Sequence, residues 1–182
     1  MTISRRPLSD LRSKNLAKRI SQALQNAEVP APRDSESEPH FTRRVLAPIV
    51  RAELAQLPRL PLQLRGDGGD EQAIPSFVLD AVFFPDLAVS IASQHVWAAE
   101  VKFLRDGGRQ NALATAIGQT LIYQRRYEHV ALILIDFSNS GSDSHTEFLQ
   151  FARDRAYVET LLASVTGKSP LRFSATSTSG GA

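Results

Sequence analysis

A mixed β-sheet flanked by helices, an α/β fold, is the class this sequence predicts. Three observations carry it. The hydrophobic period is helical early in the chain and becomes strand-like over residues 76–104. It is helical again over 109–127. A continuous apolar run, HVALILIDF (129–137), then reads as a strand buried on both faces.

Taken in order, residues 8–27 predict a helix in which Leu16, Ile20 and Leu24 form a narrow apolar stripe among basic residues. VPAPRDSESEP (29–39), rich in Pro, Ser and acid, reads as a linker. Val45, Leu46, Ile49, Val50, Leu54 and Leu57 give the next segment a helical stripe, which Pro48 kinks. RGDGGDEQAIP (65–75) reads as a loop. SFVLDAVFF (76–84), DLAVSIA (86–92) and HVWAAEVKFL (95–104) read as closely spaced strands of an antiparallel meander. A helix over 109–127, the apolar strand and a last helix over 142–165 follow. The resulting division is a basic helical arm (1–28), a linker (29–39), one domain (40–172) and a disordered tail (173–182).

Composition excludes several classes. The 182 residues are 42% hydrophobic, enough for a core. No apolar run reaches membrane-spanning length, and the basic N-terminus lacks the apolar region of a secretory signal. Cysteine is absent, which removes disulfides, thiolate zinc sites and a Cys nucleophile, and fits a cytoplasmic location. His40, His95, His129 and His145 lack metal-ligand spacing, and GDGGD lacks the Lys of a phosphate-binding loop. Net charge is only +2, yet residues 1–20 hold six Lys or Arg against one Asp. The first helix is therefore expected to be a nucleic-acid arm or a docking helix for a second copy or a protein partner.

The acid–Lys set is the chemical signal. Strand side chains alternate, so Val96, Ala98, Glu100 and Lys102 share one face. With a loop of three or five residues before this strand, pairing positions sum to 186, and Asp86 lies opposite Glu100. A loop of four would throw the two acids to opposite faces. Two facing carboxylates repel, and a hard cation such as Mg²⁺ removes that cost. Lys102 beside them suits phosphodiester hydrolysis by a metal-activated water. Asp80 interrupts an apolar face mid-strand; with a tight turn at Phe84–Asp86 it lies too far from Asp86 to share a metal.

Pro85–Asp86, a spacer of thirteen residues and then Glu100-Val101-Lys102 resemble the PD-(D/E)XK nuclease superfamily. Gln119 and Tyr123 resemble the QxxxY motif of its RecB-like branch, and their i, i+4 spacing puts them on one helix face with Ala112 and Ala116. The resemblance covers about residues 41–137 and implies a restriction-endonuclease-like αβββαβ core. It implies Mg²⁺ (or Mn²⁺) held by Asp86 and Glu100, with Glu53 as a further acid from the first core helix. Lys102 would position or activate the attacking water. Gln119 and Tyr123 would support the site or touch the nucleic-acid backbone. Arg105, Arg109, Arg125 and Arg126 flank the helix as phosphate contacts or as a solvated helix end. The implied function is a metal-dependent nuclease, with DNA as the expected substrate, in repair, restriction or defence. The alternative is a non-catalytic nucleic-acid-binding or assembly subunit that keeps the fold.

Overall fold

A computed structural model describes residues 9–33, 35–105, 107–137, 159–165 and 170–176. Its centre is a six-stranded mixed sheet in the order β1-β4-β5-β6-β7-β8. The strands are β1 (Leu62–Gly66), β4 (Leu87–Ile91), β5 (Gln94–Leu104), β6 (His129–Asp136), β7 (Glu159–Ser164) and β8 (Ser174–Thr176). β1, β4 and β5 pair antiparallel, β5, β6 and β7 pair parallel, and β8 returns antiparallel. The crossover from β5 to β6 is α4 (Arg109–Tyr123). β2 (Ser76–Val78) and β3 (Ala81–Phe83) form a separate two-stranded hairpin.

Each face of the sheet has its own core. Trp97, Ala99, Val101 and Phe103 of β5, with Ile133 and Ile135 of β6, pack against α1 (Asp10–Asn26) and α3 (Ala47–Ala55). Ala98, Leu104, Leu132 and Leu134 face α4, where Ala116 and Tyr123 are fully buried. The small side chain of Ala116 lets the helix approach the sheet. The apolar stripe of α1 is covered by the chain itself: Ile20 and Leu24 are wholly buried.

α2 (Glu38–Phe41), a π turn (Thr42–Leu46) and α3 form one continuous helical run. Ser37 caps its start by accepting from His40 N, with Pro39 in the first turn. At the predicted kink the run takes a π turn just before Pro48. Pro48 has no N–H for a carbonyl four residues back, and Ala47 N reaches instead to Thr42 O, five residues back.

Several expectations are corrected. The run 76–84 is not one strand. Leu79 and Asp80 have φ of 47° and 64°, forming a two-residue turn that folds it into the β2–β3 hairpin. Asp80 is therefore an exposed turn residue, not a mid-strand acid. The first sheet strand is β1, in a stretch with no clean alternation. Residues 159–164 of the expected last helix form β7 beside β6, burying Leu161 and Ala163; 142–158 lie outside the described residues, as do 177–182 of the tail. A short buried apolar run has no period that separates helix from strand. Ser174–Thr176, expected in a disordered tail, is β8. The segment 29–39 is tied down rather than loose: Val29 pairs with Leu171, and Glu36 is buried. No helix among the described residues is long and apolar enough to cross a membrane.

Candidate functional site

The β4–β5 hairpin decides which carboxylates meet. Its turn has two residues, so Ile91 pairs with Gln94 and Ser90 with His95. That register alone would set Asp86 against Ala99. A bulge then inserts Val96 as an unpaired residue, and Val89 pairs with Trp97 and Leu87 with Ala99. Asp86, continuing β4, faces Glu100. The expected sum of 186 is met, by a two-residue turn plus a bulge rather than a longer loop.

The end of β1 holds Asp86 from behind. Asp67 N donates to Asp86 O at 2.6 Å. Gly66 has φ of +89°, and a Cβ there would sit 2.3 Å from the same oxygen, so only glycine fits. The Asp86 carboxylate reaches forward, with Oδ2 accepting from Val101 N at 2.7 Å. Beside it opens a cleft of about 280 Å³ lined by Gly66, Asp67, Gln72, Phe84 and Pro85.

Glu100 is 3% exposed. Tyr123 Oη lies 3.1 Å from Glu100 Oε2 and 2.8 Å from Phe84 O. One hydroxyl proton cannot serve both acceptors. A protonated Glu100 resolves this by donating to Tyr123, which then donates to Phe84 O. Burial and then the neighbouring Asp86 push Glu100 up to about 8. Burial also raises Asp86, to about 6, against the Val101 hydrogen bond that favours its charge. Burial raises the Tyr123 phenol further still, so it remains a neutral donor. Gln119, one turn earlier on the same face of α4, keeps a buried Oε1 without a protein hydrogen-bond partner among the described residues.

Lys102 Nζ sits 2.9 Å from Glu38 Oε2 and 3.8 Å from Glu100 Oε1. Burial draws its pKa down, but Glu38, Glu100 and Asp86 more than offset this, and the net shift is upward. It is therefore a lasting ammonium, able to donate and to attract negative charge, not a base. Glu38 is the acid that sequence reading missed. Its Oε1 also accepts from Phe103 N at 2.8 Å, which clamps β5 to the start of α2. The one signal for it was the helix start Ser37-Glu38-Pro39.

Asp86, Glu100, Lys102, Gln119 and Tyr123 thus form one neighbourhood. Glu53 stands apart on α3, where its Oε1 accepts from Arg19 Nε at 2.6 Å. The acid that reaches Lys102 from the helical run is Glu38. Among the described residues no three His, Asp or Glu side chains converge at metal-ligand distances. Arg109 pairs with buried Asp136 at 2.9 Å, and Arg105 lies over Phe137 and donates to Glu36 O, so both have structural partners. Arg125 and Arg126 are exposed. No family model, curated protein or solved structure matches the chain.

Proposed function

We propose that the chain is a metal-dependent nuclease of the PD-(D/E)XK type, with DNA as its substrate. The observation that carries this reading is the pair of facing carboxylates, Asp86 and Glu100, both held above their ordinary pKa with an ammonium beside them. A hard divalent cation relieves that excess of negative charge. The donor set fits Mg²⁺ or Mn²⁺, which take one or two carboxylates and complete their shell with water and substrate phosphate. Bound there, the cation supplies a water of lowered pKa and neutralises charge on the phosphate. Lys102 holds the scissile phosphate or the attacking water by charge, and Glu38 keeps it protonated and aimed. Tyr123 and Gln119 orient Glu100. The α-β-β-β-α-β order of the helical run, β1, β4, β5, α4 and β6 is compatible with the family's core.

The test is a cleavage panel of linear, circular, single-stranded and branched DNA with Mg²⁺, Mn²⁺ or chelator. Cleavage is expected only with metal, and Glu100→Ala and Lys102→Ala should each lose at least about a hundredfold while melting cooperatively. Undiminished cleavage by either variant, in a preparation free of other nucleases, overturns the assignment. Binding of DNA by the wild type with no cleavage under any metal favours the non-catalytic subunit.

A further inference from the structure

The chain exposes a large apolar surface where a soluble fold would be expected to hide one. Six large hydrophobic residues are exposed among those described, and four of them, Phe77, Leu79, Val82 and Phe84, belong to the β2–β3 hairpin and its exit. Phe77 and Val82 are cross-strand partners, so they stand on the same side. The other side is spoken for: Ser76 is buried and Phe83 packs against the α4 core. The hairpin is thus a two-stranded ribbon with one face docked and one face bare.

Its tip is stranger. Leu79 is 95% exposed and has a positive φ, a conformation that costs a branched side chain about 1 kcal/mol or more. A turn of this kind favours Asn-Gly, yet here an apolar side chain is held out into solvent.

Three observations indicate what covers the bare face. Phe84 lines the same cleft as Asp86, so the ribbon runs directly into the candidate catalytic site. Arg126 donates to Pro75 O, so a cation stands at the root of the ribbon. Asp80 sits at the tip and disfavours a phosphate there. A ligand that brings anionic charge to the root and flat apolar surface to the ribbon matches this pattern. Unpaired nucleobases on a phosphate backbone are such a ligand, since every base has a face that stacks on an aromatic ring.

We propose that the outer face of the β2–β3 hairpin, Phe77, Leu79 and Val82 with Phe84, is a base-stacking ribbon. It holds unpaired bases of a single strand next to the phosphate presented to Asp86 and Glu100. The inference rests on the nuclease reading and narrows its substrate to strands with unpaired bases at the cleavage point. Duplex DNA, whose bases face each other, cannot use the ribbon.

The test measures binding by fluorescence anisotropy in Ca²⁺. The probes are a labelled mixed-sequence single strand, the blunt duplex of the same sequence and a single strand of abasic sites. The wild type should prefer the base-containing single strand. Phe77→Leu and Leu79→Asn should each weaken that probe by about tenfold or less and leave the others unchanged, while Phe77→Trp keeps full affinity. Leu79→Asn suits the turn, so a loss there is not a folding defect. Full binding by Phe77→Leu overturns the proposal, because any apolar partner would tolerate leucine. Variants that bind all three probes like the wild type, but turn a dimer into a monomer in sedimentation, overturn it in favour of a second copy. A hairpin-dependent strand preference in a protein that fails to cleave with any metal sinks the nuclease reading and leaves the ribbon standing. Metal-dependent cleavage with binding indifferent to the hairpin does the reverse.

Discussion

Glu36 and Glu100 are two glutamates with little exposed surface, 6% and 3%, and opposite electrostatics. Arg44 grips Glu36 through Nε at 2.7 Å and Nη2 at 2.6 Å, and Arg33 N adds a third donor. Its carboxyl is held below the ordinary value, chiefly by Arg44 and against the opposing pull of burial. Among the described residues Glu100 has the Tyr123 hydroxyl as its hydrogen-bond partner, a more distant ammonium, and Asp86 opposite. Glu100 also lies deeper than Glu36, so depth of burial and the choice of partners together decide the outcome. A buried carboxylate whose charge is fully met is finished structure. One that keeps a proton for want of partners is a place where a cation can take the proton's position.

Activity should separate the two most widely. Glu100→Gln keeps the shape and hydrogen bonding of the protonated acid but can never become the carboxylate that a cation needs. It is expected to lose at least about a hundredfold in metal-dependent cleavage. The same change removes the cost of ionising Glu100 beside Asp86, so the metal-free protein should melt at an equal temperature near pH 5 and at a higher one as pH approaches 8. Glu36→Ala should do the opposite to the fold: it strands Arg44 partly buried, at a cost of about 3 kcal/mol, and lowers Tm by roughly 5–10 °C. Scanning calorimetry of both variants checks this. A drop for Glu100→Gln as large as for Glu36→Ala would erase the contrast.

The same comparison shows what was legible in the sequence. Asp86, Glu100 and Lys102 could be read because strand alternation is rigid and their separation survives any hairpin that restores the same sum. The bulge at Val96 was invisible, and it happened to leave the sum intact. Gln119 and Tyr123 were legible because i, i+4 spacing on a helix leaves little freedom. Glu36 and Glu38 were not, because a segment of Ser, Pro and acids looks solvated until its cations arrive from Arg44 and Lys102, distant in sequence or in another element. The Leu79–Asp80 turn was hidden because it lacks Gly and Asn, the residues that announce such turns. β1 escaped because LQLRG has too few apolar positions to show a period, and β7 because ETLLAS suits either structure.

Titration should pull the two glutamates apart along the pH axis. Glu100 is raised from 4.5 to about 8, so the folded metal-free protein holds a proton there that the unfolded chain has released. Stability from that proton is present at low pH and fades as pH rises from about 4.5 through 8. Asp86 acts in the same direction, between 3.8 and about 6. Glu36 is lowered, so its contribution is present above 4.5 and is lost as pH falls below that value. Metal-free melts should therefore decline on both the acid and the neutral side of about pH 5. Added Mg²⁺ should restore only the neutral side, with proton release visible as buffer-dependent heat. A melting temperature that is flat from pH 5 to 8 without metal would contradict the raised Glu100.

The smallest effect, and the sharpest for the junction between the two regions, belongs to Glu38. It lies two residues from Glu36 and gives one oxygen to Lys102 and the other to Phe103 N. Glu38→Gln can keep the Phe103 hydrogen bond through its amide oxygen while removing the charge. The side chains of Glu38 and Lys102 are 27% and 18% exposed, so water screens part of the loss, and stability should change by less than about 1 kcal/mol. Lys102 then has Glu100, at 3.8 Å, as its nearest remaining counter-charge. It should lean that way and compete with the metal, weakening Mn²⁺ binding by a few-fold. Cleavage should fall by a similar factor, because Lys102 is still charged but less well aimed. Calorimetric Mn²⁺ titration beside a cleavage rate tests the pair of numbers. Should Glu38→Gln abolish both as completely as Glu100→Gln, Glu38 is not a clamp on Lys102 but a metal ligand in its own right.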